Sequence, residues 1–344
     1  MFLKNLINPL SKYRGLNISI LFVFLSLLSL KNILDTPPLP SEQKSVVLFS
    51  NQIHPTLKST VYDAIDSAKH EIVISTFGLI ERELIEKLEK KDAEGIKVEV
   101  HFCAKTVDNF PYLGGNIRVI GHRGDGLMHQ KIIAIDGTCI YLGSTNLSFN
   151  SYKVHDNLII GFHSPSFTQK VLEQLMQPSY PLTIEECFED ARVKFWSLPG
   201  QKKAALRTLI EHINAARQKI ECQIFTFTHP KIVDALCAAI QRGVDVEVNI
   251  DKKSVKGASK ESIENLRVKG ARIFTNNHKG LLHHKMMLID EKKFFFGSAN
   301  WTRSAFEKNR DYLILIEDIS PTLSQEITAL FKAASGFKKP YRVD

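Results

Sequence analysis

The sequence predicts an α/β protein made of two similar halves, and three observations support this. A pattern of six residues, H-x-K-x4-D-x6-G-S-x-N, begins at His129 and recurs 154 residues later at His283. Similar strand-like and helix-like segments precede both copies in the same order. Alternating strands and helices are typical of a largely parallel sheet covered by helices. Because a long internal repeat indicates duplicated structural units, we expect two related α/β halves.

The predicted elements follow one order in each half: helix, strand, helix and two strands, then the repeated motif. Apolar residues at helical spacing predict the first helix, and alternating apolar residues predict the strand after it. A glycine at the expected end of the second helix supports that assignment, because glycine favours helix C-termini. In the two halves these features fall at residues 56–69 and 203–218, at 71–77 and 219–227, and at Gly95 and Gly243.

The amino-terminal segment, residues 1–40, is predicted to lie outside the fold. Three basic residues precede a predominantly apolar run at 16–30, which is the layout of a secretory signal. The run is shorter than the roughly 20 residues that span a bilayer, and no cleavage site follows it. A proline-rich stretch then leads into the folded part. We therefore expect a signal-anchor and a membrane-associated or exported protein, with a cytoplasmic location as the alternative.

The remaining chain divides at the repeat. Residues 41–165 are predicted to form the first half and residues 193–335 the second, with a connector at 166–192. Two motif copies in one chain predict a monomer that is internally a pseudo-dimer, and no obligate protein partner is implied.

Composition and charge narrow the possible functions. Apolar residues make up 44% of the chain and mean hydropathy is −0.10, which excludes a disordered chain and a multi-span membrane protein. Five scattered cysteines without a close pair argue against a disulfide scaffold or a zinc ribbon. A net charge of +8 favours anionic partners such as phospholipid headgroups or nucleic acid.

The motif brings together residues suited to phosphate chemistry. On a strand, residues two apart share a face, so His129 and Lys131 should point together, as should His283 and Lys285. The Asp136-Gly137 pair predicts a tight hairpin that places one serine opposite His129, and the same register around Asp290-Glu291 places the other opposite His283. The serines and the asparagines two residues beyond them are expected to bind phosphate; they are Ser144, Asn146, Ser298 and Asn300.

Two such patches facing each other would hold a phosphate between two histidines. One histidine would attack phosphorus, and the other would protonate the leaving oxygen. No metal and no cofactor is implied, because the lysines supply the positive charge. Asp156 and Asp311, which follow the motif asparagines by ten and eleven residues, are candidates for orienting the histidines. The motif residues Asp136 and Asp290 are candidate catalytic groups, although turn formation is the preferred interpretation for both.

These residues resemble the HKD signature of the phospholipase D superfamily, and the surrounding pattern covers about residues 45–325. The resemblance implies a pseudo-twofold α/β sandwich with the active site at the interface of the two halves, a phosphohistidine intermediate and no required metal. It also implies that His129 is the nucleophile and His283 the general acid, and it supports Asp156 and Asp311 as orienting residues.

The leading functional hypothesis is therefore a phospholipase D-like phosphodiesterase that converts phospholipids such as phosphatidylcholine to phosphatidic acid at a membrane. One alternative is a metal-independent endonuclease of the same superfamily, for which nucleic acid would be the substrate. Another is a phosphatidyltransferase of the cardiolipin synthase type.

Overall fold

The computed structural model describes residues 37–54, 56–78, 81–106, 113–176, 183–336 and 338–341. The predicted signal-anchor at 16–30 lies outside the described residues. Within the described part of the chain, no helix combines the length and the apolar character needed to cross a membrane.

Among its described residues the first half contains seven strands and four helices, and the predicted elements occur in the predicted order. They are β1 (Val46–Ser50), α1 (Leu57–Ser67), β2 (Glu71–Thr76), α2 (Arg82–Ala93), β3 (Lys97–Cys103), β4 (Arg118–His122), β5 (Ile132–Ile135), β6 (Cys139–Gly143), α3 (Phe149–Lys153), β7 (Leu158–His163) and α4 (Pro165–Met176).

The second half repeats this series with one additional helix. It also has one additional strand at each edge of its sheet. Its elements are β8 (Ile184–Cys187), β9 (Arg192–Leu198), α5 (Lys202–Ala215), β10 (Lys219–Ile224), α6 (Pro230–Gln241), β11 (Asp245–Ile250), α7 (Lys260–Val268), β12 (Arg272–Asn276), β13 (Lys285–Ile289), β14 (Lys293–Gly297), α8 (Arg303–Glu307), β15 (Asp311–Glu317), α9 (Pro321–Ser335) and β16 (Lys338–Pro340).

The two sheets have equivalent strand orders. The first sheet runs β1-β7-β6-β5-β2-β3-β4, and the second runs β8-β9-β15-β14-β13-β10-β11-β12-β16. Strands β2, β3 and β4 pair in parallel, as do their counterparts β10, β11 and β12. The other neighbouring strands in each sheet pair antiparallel, including the hairpin β5–β6 and the strands β7 and β1. The expectation of a largely parallel sheet was wrong, and each sheet is mixed.

One hydrophobic cluster joins the two sheets. It includes Ile140 and Ile160 from the first sheet and Phe294 and Ile314 from the second, all fully buried. Apolar residues of α4 and α9 complete this cluster, including Phe167 and Phe331. The segment predicted as a connector thus contains most of α4, which packs in the shared core, and β8, which pairs with β9. This packing brings the two motifs to one interface.

Candidate active site

Each motif histidine is bound by a residue of the opposite half. His129, just before β5, donates its Nδ1–H to Oδ1 of Asp311 at 2.8 Å, at the start of β15. His283, just before β13, donates its Nδ1–H to Oδ1 of Asn157 at 2.9 Å, just before β7. Both histidines are more than nine-tenths buried, and their two partners are fully buried. The pair is therefore assembled only where the halves meet, as the repeat predicts.

The motif serines lie behind the histidine partners. Ser298 donates to Oδ1 of Asp311 at 2.7 Å, and Ser144 donates to Oδ1 of Asn157 at 2.9 Å. Each hydroxyl also accepts a backbone N–H from the strand that follows its partner residue. Both serines are buried. Their prediction as phosphate ligands was wrong, since these hydroxyls hold the groups that orient the histidines.

The hairpin register explains that error. Ile135 pairs with Cys139, and Ile289 pairs with Lys293, so each motif hairpin has a three-residue loop. The predicted two-residue turn had placed each serine directly opposite its histidine. The extra loop residue shifts the pairing by one position, and a shift of one position reverses the face to which a side chain points.

The motif lysines are buried beside the histidines. The Nζ of Lys131 donates to the backbone oxygen of His129 at 2.5 Å, and the Nζ of Lys285 donates to that of His283 at 2.6 Å. Burial lowers the pKa of Lys131 to about 7 and lowers that of Lys285 well below its ordinary value. A bound phosphate would raise both pKa values, because its negative charge stabilises the ammonium form.

Two phenylalanines that were not predicted as site residues pack against the motif histidines. Phe77 and Phe225 pack against His129 and His283, with ring centroids 4.8 and 5.2 Å apart. The lysine Nζ atoms lie 5.1 and 5.2 Å from the centroids of the same rings. Each phenylalanine follows the last residue of the repeated strands β2 and β10. Alignment of these two strands in the sequence would have identified them.

The two histidines have different electrostatic surroundings. Burial and the charge of Lys131 lower the pKa of His129, but the carboxylate of Asp311 opposes this shift. Burial lowers the pKa of His283 much further, and the charges of Lys285 and Lys131 add to the effect. Its partner Asn157 carries no charge. Positive charge on the imidazole is therefore better stabilised at His129 than at His283.

Asp156 does not contact a motif histidine, so its predicted place was wrong by one residue. Its Oδ2 lies 2.7 Å from Nε2 of His278, and the neighbouring Asn157 contacts His283 instead. The prediction looked for an acidic residue in each half, and it accepted a spacing from the motif asparagine of ten residues in one half and eleven in the other. The constant repeat offset of 154 residues relates Asp311 to Asn157 and would have identified the correct position.

Asp136 and Asp290 are structural residues at the hairpin loops. Oδ1 and Oδ2 of Asp136 accept the backbone N–H groups of residues 69–71, and Asp290 accepts those of residues 217–219. Both aspartates have left-handed backbone conformations, with φ of 53° and 50°. They tie each hairpin to the start of the adjacent strand, which supports the turn-forming interpretation over a catalytic one.

The motif asparagines remain candidates for contacting phosphate. The Oδ1 atoms of Asn146 and Asn300 are buried and have no hydrogen-bond partner among the described residues. His284, next to His283 in the chain, is fully buried, and its Nε2 lies 2.7 Å from Oε1 of Gln52. In the described part of the chain, no group of three or more His, Cys, Asp or Glu residues could hold a metal ion.

Comparison with known proteins relates this site to a family. The family described as "Cardiolipin synthase, PLD-like domain" matches residues 61–177 and 209–334. Mouse mitochondrial cardiolipin hydrolase is 33% identical over 124 residues, which is 36% of this chain and 54% of the relative. Cardiolipin synthase A of Buchnera aphidicola is 29% identical over 57% of this chain and 46% of the relative. The matches thus span about half the length of these relatives.

A solved structure extends the similarity to nearly the whole fold. Phosphatidylserine synthase of Haemophilus influenzae superposes with a TM-score of 0.70 over 88% of both chains, at 10% sequence identity. This match concerns the fold alone. Together with the two matched segments, which lie one in each half, it shows that both halves have the PLD-like architecture. The chain belongs to the phospholipase D superfamily.

Proposed function

We propose that this chain is a phospholipid phosphodiesterase that forms a phosphohistidine intermediate and releases phosphatidic acid. The observation that carries the proposal is the buried pair of His129 and His283, each oriented by the opposite half and each beside a lysine. In both histidines Nδ1 is engaged, so Nε2 is the atom that can react. Two such nitrogens suit a two-step displacement at phosphorus.

In the first step, Nε2 of His129 attacks phosphorus and the bond to the leaving alcohol breaks. The alcohol oxygen takes the proton from Nε2 of protonated His283. In the second step, water attacks phosphorus and gives a proton to His283, and the phosphorus–nitrogen bond breaks. Both histidines are then restored. Lys131 and Lys285 supply the positive charge that stabilises the phosphoryl oxygens.

The difference between the two partners supports this assignment of roles. A phosphorylated imidazole whose Nδ1 keeps its proton is cationic, and Asp311 places a carboxylate against that proton at His129. Asn157 offers no such charge to His283. An imidazolium there gives up its proton readily, which suits a general acid. The negative charge of the bound substrate would promote protonation of His283 before the reaction.

A lipid substrate is supported by the relatives, whose names refer to cardiolipin hydrolysis and synthesis. The net charge of +8 favours an anionic membrane surface. If an alcohol replaced water in the second step, the same site would perform phosphatidyl transfer. Nuclease activity would use the same histidines, and a direct comparison of substrates distinguishes it.

The test uses the full chain with phosphatidylcholine vesicles and, separately, single-stranded DNA, each in the presence of EDTA. We expect choline release at a rate that EDTA does not change, and no cleavage of the DNA. DNA cleavage without lipid turnover would replace this proposal with the nuclease alternative. A strict requirement for added metal would contradict the role given to Lys131 and Lys285.

A further inference from the structure

The side chain of Tyr312 reaches from the second half into the first. Tyr312 is the second residue of β15 and is fully buried. Its hydroxyl accepts the backbone N–H of Gly143 at 2.7 Å. The backbone oxygens of Lys131 and Gly143 lie 2.8 and 2.9 Å from the same hydroxyl, which can donate its single proton to one of them at a time. One buried hydroxyl of the second half therefore binds the backbone of two motif residues of the first.

This hydroxyl lies where the ladder between β5 and β6 would otherwise continue. Ile132 pairs with Leu142, so Lys131 and Gly143 are the next partners in register. The named strand β5 begins only at Ile132. Beyond that point, the N–H of Gly143 donates to the Tyr312 hydroxyl, which in turn reaches the backbone oxygen of Lys131. The phenol thus bridges the two strands at the level of the motif lysine.

Two consecutive residues of the second half hold the proposed nucleophile and the lysine beside it. Asp311 accepts from Nδ1 of His129, and Tyr312 binds the backbone of Lys131. The N–H of Tyr312 donates to the hydroxyl of Ser298, which itself donates to Asp311. The Nζ of Lys131 donates to the backbone oxygen of His129. The start of β15 therefore fixes His129 and Lys131 relative to each other.

The fold itself does not require a tyrosine at this position. The equivalent residue in the first half, 154 positions earlier, is Leu158, which has no hydroxyl. Leu158 and Tyr312 are both buried in the hydrophobic cluster that joins the two sheets. A leucine therefore performs the packing role in one half, but it cannot bridge the second motif as Tyr312 bridges the first. The bridging hydroxyl serves only the motif that contains His129.

We propose that Tyr312 is a positioning residue, whose hydroxyl holds the backbone of Lys131 so that the ammonium group lies against the phosphoryl group bound at His129. The inference rests on the proposed phosphodiesterase activity and adds a residue that acts through Lys131. Without the hydroxyl, the buried N–H of Gly143 and carbonyl of Lys131 lose this partner, and the strands can shift to pair directly. A displacement of about 1 Å can lower a rate about 100-fold, because catalysis depends on alignment with the reacting atoms.

Single turnover of a soluble short-chain phosphatidylcholine, with the full chain in excess, tests the inference. The limiting rate constant at saturating protein measures the reaction in folded molecules, whereas unfolded molecules only raise the protein concentration needed for saturation. Tyr312→Phe keeps the ring that stacks on Phe195 and removes only the hydroxyl. The limiting rate constant of this variant should fall about 10- to 100-fold. A purely structural role for the hydroxyl would leave that constant unchanged.

Tyr152→Phe provides the matched control. Tyr152 is also fully buried, and its hydroxyl has no hydrogen-bond partner among the described residues. Loss of this hydroxyl should leave the limiting rate constant as it is in the wild type.

The variant Lys131→Gln shows whether Tyr312 acts through the lysine. In a chain that already carries Lys131→Gln, the further substitution Tyr312→Phe should slow the reaction by less than about twofold, because the group to be positioned is absent. In the presence of Lys131, the same substitution should have its full effect.

The inference would be overturned by an unchanged limiting rate constant in Tyr312→Phe, by an equal loss in Tyr152→Phe, or by the same loss with and without Lys131. If the wild type does not cleave the phospholipid, the proposed function fails instead. The same variants are then compared on bis(p-nitrophenyl) phosphate, a phosphodiester without a lipid, where the same three outcomes decide the positioning role. Cleavage of neither compound would overturn both proposals.

Discussion

Replacement of His129 or His283 with alanine should lower turnover at least about a thousandfold, because one variant lacks the nucleophile and the other lacks the general acid. Neither loss can be compensated by the other histidine, because the two perform different steps of the reaction. The measurement is kcat on phospholipid vesicles, together with thermal unfolding to confirm that both variants are folded.

His70→Ala provides a matched control for these two variants. His70 is exposed and directly precedes β2, and its backbone N–H, which donates to Asp136, is unaffected by the substitution. This variant should turn over as the wild type does. Near-normal turnover by either His129→Ala or His283→Ala would rule out a mechanism that uses both histidines.

Substitution of Asp311 by asparagine should lower kcat by up to about 10,000-fold, which is the loss seen when the acidic member of a catalytic triad is made neutral. The asparagine oxygen can still accept from Nδ1 of His129 and from Ser298, as Asn157 does in the other half. The substitution removes the negative charge of Asp311, which stabilises the cationic phosphohistidine at His129. We expect KM to change less than kcat, because the lost interaction matters most after the histidine has attacked.

The reciprocal variant, Asn157→Asp, is the comparison for this prediction. A carboxylate beside His283 should raise the pKa of that imidazole, because a nearby negative charge stabilises its protonated form. A general acid must be protonated, so activity is lost as pH rises through its pKa. The alkaline limb of the pH–rate profile should therefore move to higher pH. An unchanged limb in Asn157→Asp, or unchanged kcat in Asp311→Asn, would show that these partners do not set the roles of the histidines.

The duplicated fold and the reactive groups could be predicted from the sequence, because one long repeat contains both. His129, Lys131, His283 and Lys285 meet at one interface as expected. The serines were misassigned because hairpin register depends on loop length. The loop around Asp136 contains one residue more than its Asp-Gly pair indicates.

Contacts between the halves were harder to predict. No local pattern shows that Asp311 belongs to His129, or that the neutral Asn157 replaces an acid beside His283. Both contacts connect residues more than 120 positions apart. Hydrogen bonds link Glu99, His101, His122 and Arg310 in series, and they likewise join two strands of the first half to the segment before β15 in the second. They depend on packing that no sequence periodicity encodes.

The covalent intermediate provides the most direct test of the two-histidine mechanism. The experiment uses a phospholipid labelled at phosphorus, single-turnover mixing with the His283→Ala variant, rapid quenching in alkali, and mass spectrometry of the peptides. In the second step His283 accepts a proton from the attacking water. Breakdown of the intermediate should therefore slow in the variant that lacks His283. The label should appear on His129 and should be absent when His129 is also replaced. Label on any other residue, or turnover with no labelled residue at any time, would contradict the mechanism.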